Sequence, residues 1–281
     1  MNKKIILLLV LVLFITGCSQ GFQSNRKGTG TPDGVRMNFL ELQPRNELRE
    51  GESFDIGLKL ENKADCNVAG EVCVRDLLTG SISGVEDSCE SFTLKKVDDY
   101  GYVDSTEVFF TDNVYGSVSG DLKSTIVAEA TYSCFIQLTP QLCVKPRRED
   151  ETICKSRETL TSSTLGLKSA PITVTQIDKL LVPQSNGVKL ETSLHLRKMS
   201  EGNLEGPLNL NLNYEGYGSL QCRDLDKLEW KKGETEKIIK CEISLNVDDI
   251  EDNPLVISLD YYYVNSKTKQ ITILKEEGGL L

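Results

Sequence analysis

Apolar and polar residues alternate along most of this chain. From Ser53 to Asn62, Phe54, Ile56, Leu58 and Leu60 are apolar, while Asp55, Lys59 and Glu61 stand between them. Successive side chains of a strand point to opposite faces, so a period of two predicts one core face and one wet face. Turn signals, Glu50-Gly51-Glu52 and Asn62-Lys63, bracket this stretch. Val68, Val72 and Val74 predict a second strand. Ser124 to Ile136 predicts a longer one, with Ile126, Ala128, Ala130, Tyr132, Cys134 and Ile136 inward and Thr125, Glu129, Thr131 and Ser133 outward.

The text changes around Gly166-Leu167-Lys168-Ser169-Ala170-Pro171, and Ile172-Thr173-Val174-Thr175 opens a new strand. Proline suits a first strand position because it gives no ladder donor. Beyond it, Leu190 to Leu196 alternates, as do Leu208, Leu210, Leu212 and Tyr214 with Asn209, Asn211 and Asn213. Ile239, Cys241, Ile243 and Leu245 form another inward row, and so do Leu255, Ile257, Leu259, Tyr261 and Tyr263; Ile271 and Ile273 close the series. Strands without intervening helical repeats predict an all-β chain of two antiparallel β-sandwich domains, 37–170 and 171–281.

The first 36 residues follow another rule. Lys3 and Lys4 precede an apolar run from Ile5 to Ile15, then Ile15-Thr16-Gly17-Cys18. The run has the length of a signal-peptide core and falls short of the about 20 apolar residues that a spanning helix needs. The pattern resembles a lipobox, with Thr16 where Ala or Ser is commoner, and implies cleavage after residue 17 and a diacylglycerol on the Cys18 thiol. Residues 18–36, SQGFQSNRKGTGTPDGVR after the cysteine, have too few apolar side chains to bury and read as a flexible tether. The predicted location is extracytoplasmic, with the membrane reached through the lipid on Cys18.

Charge narrows the partners. The formal net charge is −10, and removal of Lys3 and Lys4 with the signal makes it more negative. Such a chain repels nucleic acid, so no nucleic-acid partner is expected. Of nine cysteines, eight remain beside Cys18, an even number that suits a disulfide framework in an exported chain. No C-x-x-C pair occurs and His195 is the single histidine, so neither a metal nor a cofactor is expected.

Strand phase bears on the pairing. Cys134 is in phase with its core face and Cys66 with Val68 and Val72, which favours a buried bridge between them. Cys73 and Cys89 are out of phase with the core and suit a bridge at the rim. Cys143 and Cys154 enclose a charged loop from Lys145 to Glu151. Cys222 and Cys241 are the two cysteines of the second half. Six cysteines in the first half admit many other pairings.

Candidate chemistry is sparse. His195 falls between Leu194 and Leu196 and reads as a solvated strand residue, with no orienting partner evident for a general base. The G-x-S-x-G, P-loop and His-Glu-x-x-His motifs are absent, and no catalytic residue is assigned. Asp248-Asp249-Ile250-Glu251-Asp252-Asn253 offers oxygen ligands for calcium without EF-hand spacing and reads as an acidic turn. Tyr261-Tyr262-Tyr263 and Trp230 are candidates for a sugar platform, although alternation sends Tyr262 to one face and Tyr261 and Tyr263 to the other. The Asn209, Asn211, Asn213 row reads as a wet sheet face able to meet a polyol.

The segment Glu50 to Asn62 resembles the opening strand of CARDB-type Ig-like modules of bacterial and archaeal surface proteins, which have an E-G-E-x-Φ-x-Φ pattern ending in Asn-x-Gly. Here Lys63 and Ala64 follow Asn62, and that glycine is missing. The block from Tyr132-Ser133-Cys134 through Cys143 and Cys154 to Ala170-Pro171-Ile172-Thr173-Val174 resembles cysteine-bearing exported proteins of uncultured archaea. These resemblances imply Ig-like folding and a surface location, and no catalytic residue. The expected function is that of a non-enzymatic, lipid-anchored cell-surface protein for adhesion, envelope structure or partner binding, its partner a surface protein or glycan. The alternatives are a carbohydrate-binding module of a surface complex and an enzyme with an unrecognised site.

Overall fold

The computed structural model describes residues 30–78, 84–146, 151–165, 168–223, 230 and 233–276. The signal segment, Cys18 and most of the predicted tether lie outside the described residues, as do 147–150 of the loop between Cys143 and Cys154. The described chain is nearly all β. Its strands are β1 (Val35–Phe39), β2 (Glu47–Arg49), β3 (Ser53–Asn62), β4 (Val68–Asp76), β5 (Ser88–Leu94), β6 (Ser105–Val114), β7 (Leu122–Leu138) and β8 (Gln141–Val144). They continue as β9 (Arg157–Thr161), β10 (Ile172–Gln184), β11 (Gly187–Lys198), β12 (Asn203–Tyr214), β13 (Gly218–Ser219), β14 (Gln221–Cys222), β15 (Glu236–Leu245) and β16 (Glu251–Leu274).

Three sheets result. One has the order β1-β3-β6 and a second the order β14-β15-β11-β10-β9. The third, of eight strands, runs β13-β12-β16-β7-β4-β5, with β2 and β8 also paired to β16. Every pairing is antiparallel except that of β2 with β16. Alternation explains the layers: Phe54, Ile56, Leu58 and Leu60 of β3 are buried, as are Ile126, Ala128, Ala130, Tyr132, Cys134 and Ile136 of β7. Buried tyrosines tie one layer to the next. The Tyr132 hydroxyl accepts the Val35 amide at 3.1 Å, and the Tyr261 hydroxyl meets both the amide and the carbonyl of Ile172 at 3.1 Å. A buried phenol keeps its hydroxyl paired, so these contacts set where each small sheet lies on the large one. The layering is that of β-sandwiches.

Two features depart from the sequence expectation. The predicted tether, 18–36, overlaps the folded body: the Gly30 amide donates to Asp65, the Thr31 amide to the Lys63 carbonyl, and Val35 is buried at the start of β1. Val35 and Met37 flank Arg36, a short alternation that a flexible reading of the composition overlooks. The inward rows at 255–263 and 271–273 are one strand, the 24-residue β16. Its polar middle keeps the ladder to β7 because inward polar groups find partners: Asn265 donates to the Val35 carbonyl at 2.7 Å, and Lys269 donates to the Pro44 carbonyl. The halves expected on either side of residue 170 therefore share the long β7–β16 ladder.

Candidate functional site

Two outer sheet faces hold the groups worth weighing. On the five-stranded sheet, alternation sends Asp178 of β10, Glu191, Ser193 and His195 of β11, and Glu242 of β15 outward; all of these but His195 line a shallow groove, and His195 stands beside it. His195 is half-buried. Its Nε2 lies 2.9 Å from Asp178 Oδ2 and its Nδ1 2.9 Å from Glu236 Oε1, so three strands are clasped by one ring. Burial opposes charge on this imidazole, but hydrogen bonds to Glu236 and Asp178 outweigh it and hold the pKa above the usual histidine value. Burial likewise opposes charge on Asp178, yet the Thr159 hydroxyl, His195 and Gln176 keep its carboxyl below the ordinary range. Alongside, Lys189 bridges Glu191 at 2.5 Å and Glu242 at 3.5 Å, while Arg223 meets Glu242 at 3.1 Å. Every carboxylate in this groove is engaged. With both ring nitrogens held by carboxylates, His195 has none left to deprotonate Ser193.

The orienting partners that sequence reasoning did not find for His195 are thus present, and they make it a structural clasp. Asp178 and Glu236 lie 17 and 41 residues away, and nothing local marks them as neighbours.

The second face belongs to the large sheet where β12, β16 and β7 run side by side. Register aligns Asn209 with Asp260 and Asp260 with Phe135; one step along, Asn211 aligns with Ser258 and Ser258 with Gln137. In the other direction Tyr262 lies between Glu205 and Ser133. Alternation buries Tyr261 and Tyr263 and leaves Tyr262 57% exposed; on β7 it buries Cys134 and Ile136 and leaves Phe135 53% exposed. The β12–β16 ladder is irregular between Glu205 and Asn209, where Gly206 takes a φ of 72° and Pro207 has no amide hydrogen to give. This bulge bounds a groove of about 440 Å³ lined by Phe135, Pro207, Asn209, Asn211, Ser258 and Asp260 among others. Among the described residues, no side-chain hydrogen bond or ion pair engages Asn209, Asn211, Ser258 or Asp260. The groove therefore presents apolar ring surface beside amide donors and acceptors, a hydroxyl and a carboxylate.

The other candidates fall elsewhere. Trp230 is half-buried against the core and does not line the groove. Of Asp248 to Asn253, the last three residues begin β16; Glu251 accepts from the Tyr217 hydroxyl at 2.8 Å and from Asn253 at 3.1 Å. Among the described residues, Glu71, Cys73 and Cys89 are the group spaced to hold a metal ion, and the two sulfurs there are bonded to each other. The cysteines are joined as Cys66–Cys134, Cys73–Cys89 and Cys143–Cys154, the pairs that phase and loop enclosure favoured, and as Cys222–Cys241, the two cysteines of the second half. Cys66–Cys134 is buried, while Cys73 and Cys89 face each other across β4 and β5 on the outer face. Phe135, Pro207, Ser258 and Asp260 are groove residues that sequence reasoning missed; for Phe135, an aromatic residue at an outward position of β7 was the signal.

No family model matches the chain, and no curated protein matches it. A solved structure to which it is similar is that of Escherichia coli alpha-2-macroglobulin activated by porcine elastase, at 8% identity and a TM-score of 0.18. That alignment spans 89% of this chain and 22% of the other, and at such a TM-score it bears on neither fold nor function.

Proposed function

We propose that this chain is a non-enzymatic, lipid-anchored surface protein, an Ig-like β-sandwich body held outside the cell membrane by the lipid on Cys18 and serving adhesion, envelope structure or partner binding. The observation that carries the reading is the set of four disulfides in one acidic, nearly all-β body, since such bridges persist in oxidising compartments. The lipobox pattern at Ile15 to Cys18 and the CARDB-like strand Glu50 to Asn62 agree with it. The clasped His195 supports a binding role over catalysis, because a ring held by two carboxylates gives no free base.

The experiment is metabolic labelling with a radioactive fatty acid, combined with protease treatment of intact cells. Label on the wild-type protein, none on Cys18→Ala, and digestion at the cell surface are expected. An unlabelled wild-type chain removes the anchor; protection in intact cells removes the surface location.

A further inference from the structure

We propose that the groove between β12, β16 and β7, together with the sheet face just past its bulged end, binds neutral glycans, with Phe135 in the groove and Tyr262 beside it stacking against sugar rings and Asn209, Asn211 and Asp260 reading their hydroxyls. It rests on the surface-protein reading for its setting, and on the groove alone for its chemistry.

A pyranose has an apolar C–H face and a rim of hydroxyls. It is held by a flat apolar surface next to polar groups able both to donate and to accept. Phe135 and Tyr262 supply the surface. Asp260 is the direct neighbour of Phe135 and sits two residues before Tyr262, so the two rings are diagonal neighbours about 7 to 8 Å apart at the backbone. Both are more than half exposed, with Ser133, Gln137, Ser258 and Asp260 at neighbouring outward positions, and alternation has already placed Tyr132, Cys134, Tyr261 and Tyr263 inside. The hydroxyl readers are the groups without partners: each amide offers two donors and an acceptor, and the Asp260 carboxylate accepts only. Side chains that hydrogen-bond nothing in the protein give up no internal bond when a sugar hydroxyl replaces water.

The bulge breaks the sheet face between the Phe135 end of the site and Tyr262. Without it, β12 would continue flush beside β16 and the face would be flat. Gly206 and Pro207 end the regular pairing, and the groove starts there, as bulges often do beside binding sites. Its volume is in the range of small-ligand sites.

Charge selects the class of glycan. The residues lining the groove include the Asp260 carboxylate and no lysine or arginine, and Glu205 stands opposite Tyr262 at the bulge. An acidic polysaccharide or a phosphate would bring its charge against Asp260 with no cation to offset it. A protein partner needs about 800 Å² on each side with an apolar centre, whereas this face offers two rings one strand apart and a row of amides. A neutral sugar chain fits both limits.

The test is affinity electrophoresis of the purified full-length protein in gels containing mannan, laminarin, xyloglucan or hydroxyethylcellulose, with polygalacturonate as the acidic probe. At least one neutral polymer is expected to retard the protein, and polygalacturonate is not. Phe135→Ala and Tyr262→Ala should each weaken retardation roughly tenfold, the size of one ring contact. Asp260→Ala should weaken it as well, and Asn213→Ala, farther along β12, should leave it unchanged. Unaltered thermal midpoints separate lost contact from lost fold. Three results overturn the proposal: no retardation by any of the four neutral polymers, equal retardation of the Phe135→Ala/Tyr262→Ala double variant, or retardation by polygalacturonate alone. A protein that cross-links to wild type but not to the double variant, with no polymer retarding either, also overturns it and assigns the groove to a protein. Fatty-acid labelling of Cys18 reads out independently, so loss of the anchor and loss of the glycan site cannot be confused.

Discussion

On the outer face of the five-stranded sheet, Asp178 and Glu236 clasp His195, and Lys189 and Arg223 hold Glu191 and Glu242. On the outer face at β12, β16 and β7, Asn209, Asn211, Ser258 and Asp260 have no such partners among the described residues, and two aromatic rings stand in the open on the same face. Both faces arise from the same alternation and both are polar. They differ in what their side chains are occupied with. In the first, charges on adjacent strands satisfy one another and tie the sheet together. In the second, recognition groups are left for something outside the molecule. Substitutions in the first should cost stability, and in the second binding.

The largest expected effect comes from the support beneath the open face. Cys134 is buried on β7 directly before Phe135, and its bridge to Cys66 closes 68 residues. Replacing both with alanine should cost about 2 to 5 kcal/mol. The Cys222–Cys241 bridge of the five-stranded sheet closes 19 residues between strands already hydrogen-bonded to each other. By chain entropy its removal should cost about 1 kcal/mol less. Urea melts of the two double variants check the order, and a larger loss from Cys222 and Cys241 would place the mechanical support on the wrong sheet.

Next comes the inner side of the five-stranded sheet. Lys179 is fully buried, donates to the Cys143 carbonyl at 2.9 Å and pairs with Glu158 at 3.0 Å. Lys179→Met keeps the volume of the stem but orphans that carbonyl, while the half-exposed Glu158 returns to water. A loss of about 1 to 3 kcal/mol is expected in the same melts. No loss would show that the sheet is positioned without this contact.

The histidine clasp gives a smaller effect with a pH signature. Its raised pKa means that the fold holds the ring proton more tightly than the unfolded chain does. The stabilisation is complete below the ordinary histidine pKa of about 6.5 and is lost as pH rises through the folded value. Because Asp178 and Glu236 are more than a third exposed, screening keeps the contribution below about 1 kcal/mol. The stability gap between wild type and His195→Gln should therefore shrink from pH 6 to pH 8, about one unit to either side of that range's middle. A gap that widens with pH would mean that the clasp binds the neutral ring.

How far sequence reached differs between the faces for a physical reason. Alternation is local, so β3 appears in the sequence with its observed bounds, and the outward aim of Tyr262 and the asparagine row follows from phase alone. Cysteine phase narrows the bridges for the same reason. Neighbourhood across strands is not local. That residue 135 lies against 260, or 195 between 178 and 236, depends on which strands pair and in what register. The β16 middle is illegible because its inward phase carries Asn265 and Lys269, satisfied by carbonyls of distant segments, with an exposed Lys267 between them, which removes the apolar beat while leaving the ladder intact.

The smallest expected effect is also the one that most sharply tests the difference between the faces. Phe135→Ala and Tyr262→Ala remove large rings, and in a core such truncations would cost about 3 to 5 kcal/mol. Here both side chains are more than half in water and fill no cavity, so stability should change by no more than about 0.5 kcal/mol. The cross-strand neighbours, Asp260 beside Phe135 and Ser133 beside Tyr262, are small or charged and gain little from the rings. A thermal midpoint unchanged in both variants means that nothing in the folded chain depends on these aromatics, although they occupy a strand face where polar residues would be better solvated. A clear drop in either midpoint would instead make that ring a packing element, and the open face would then be as self-occupied as the clasped one.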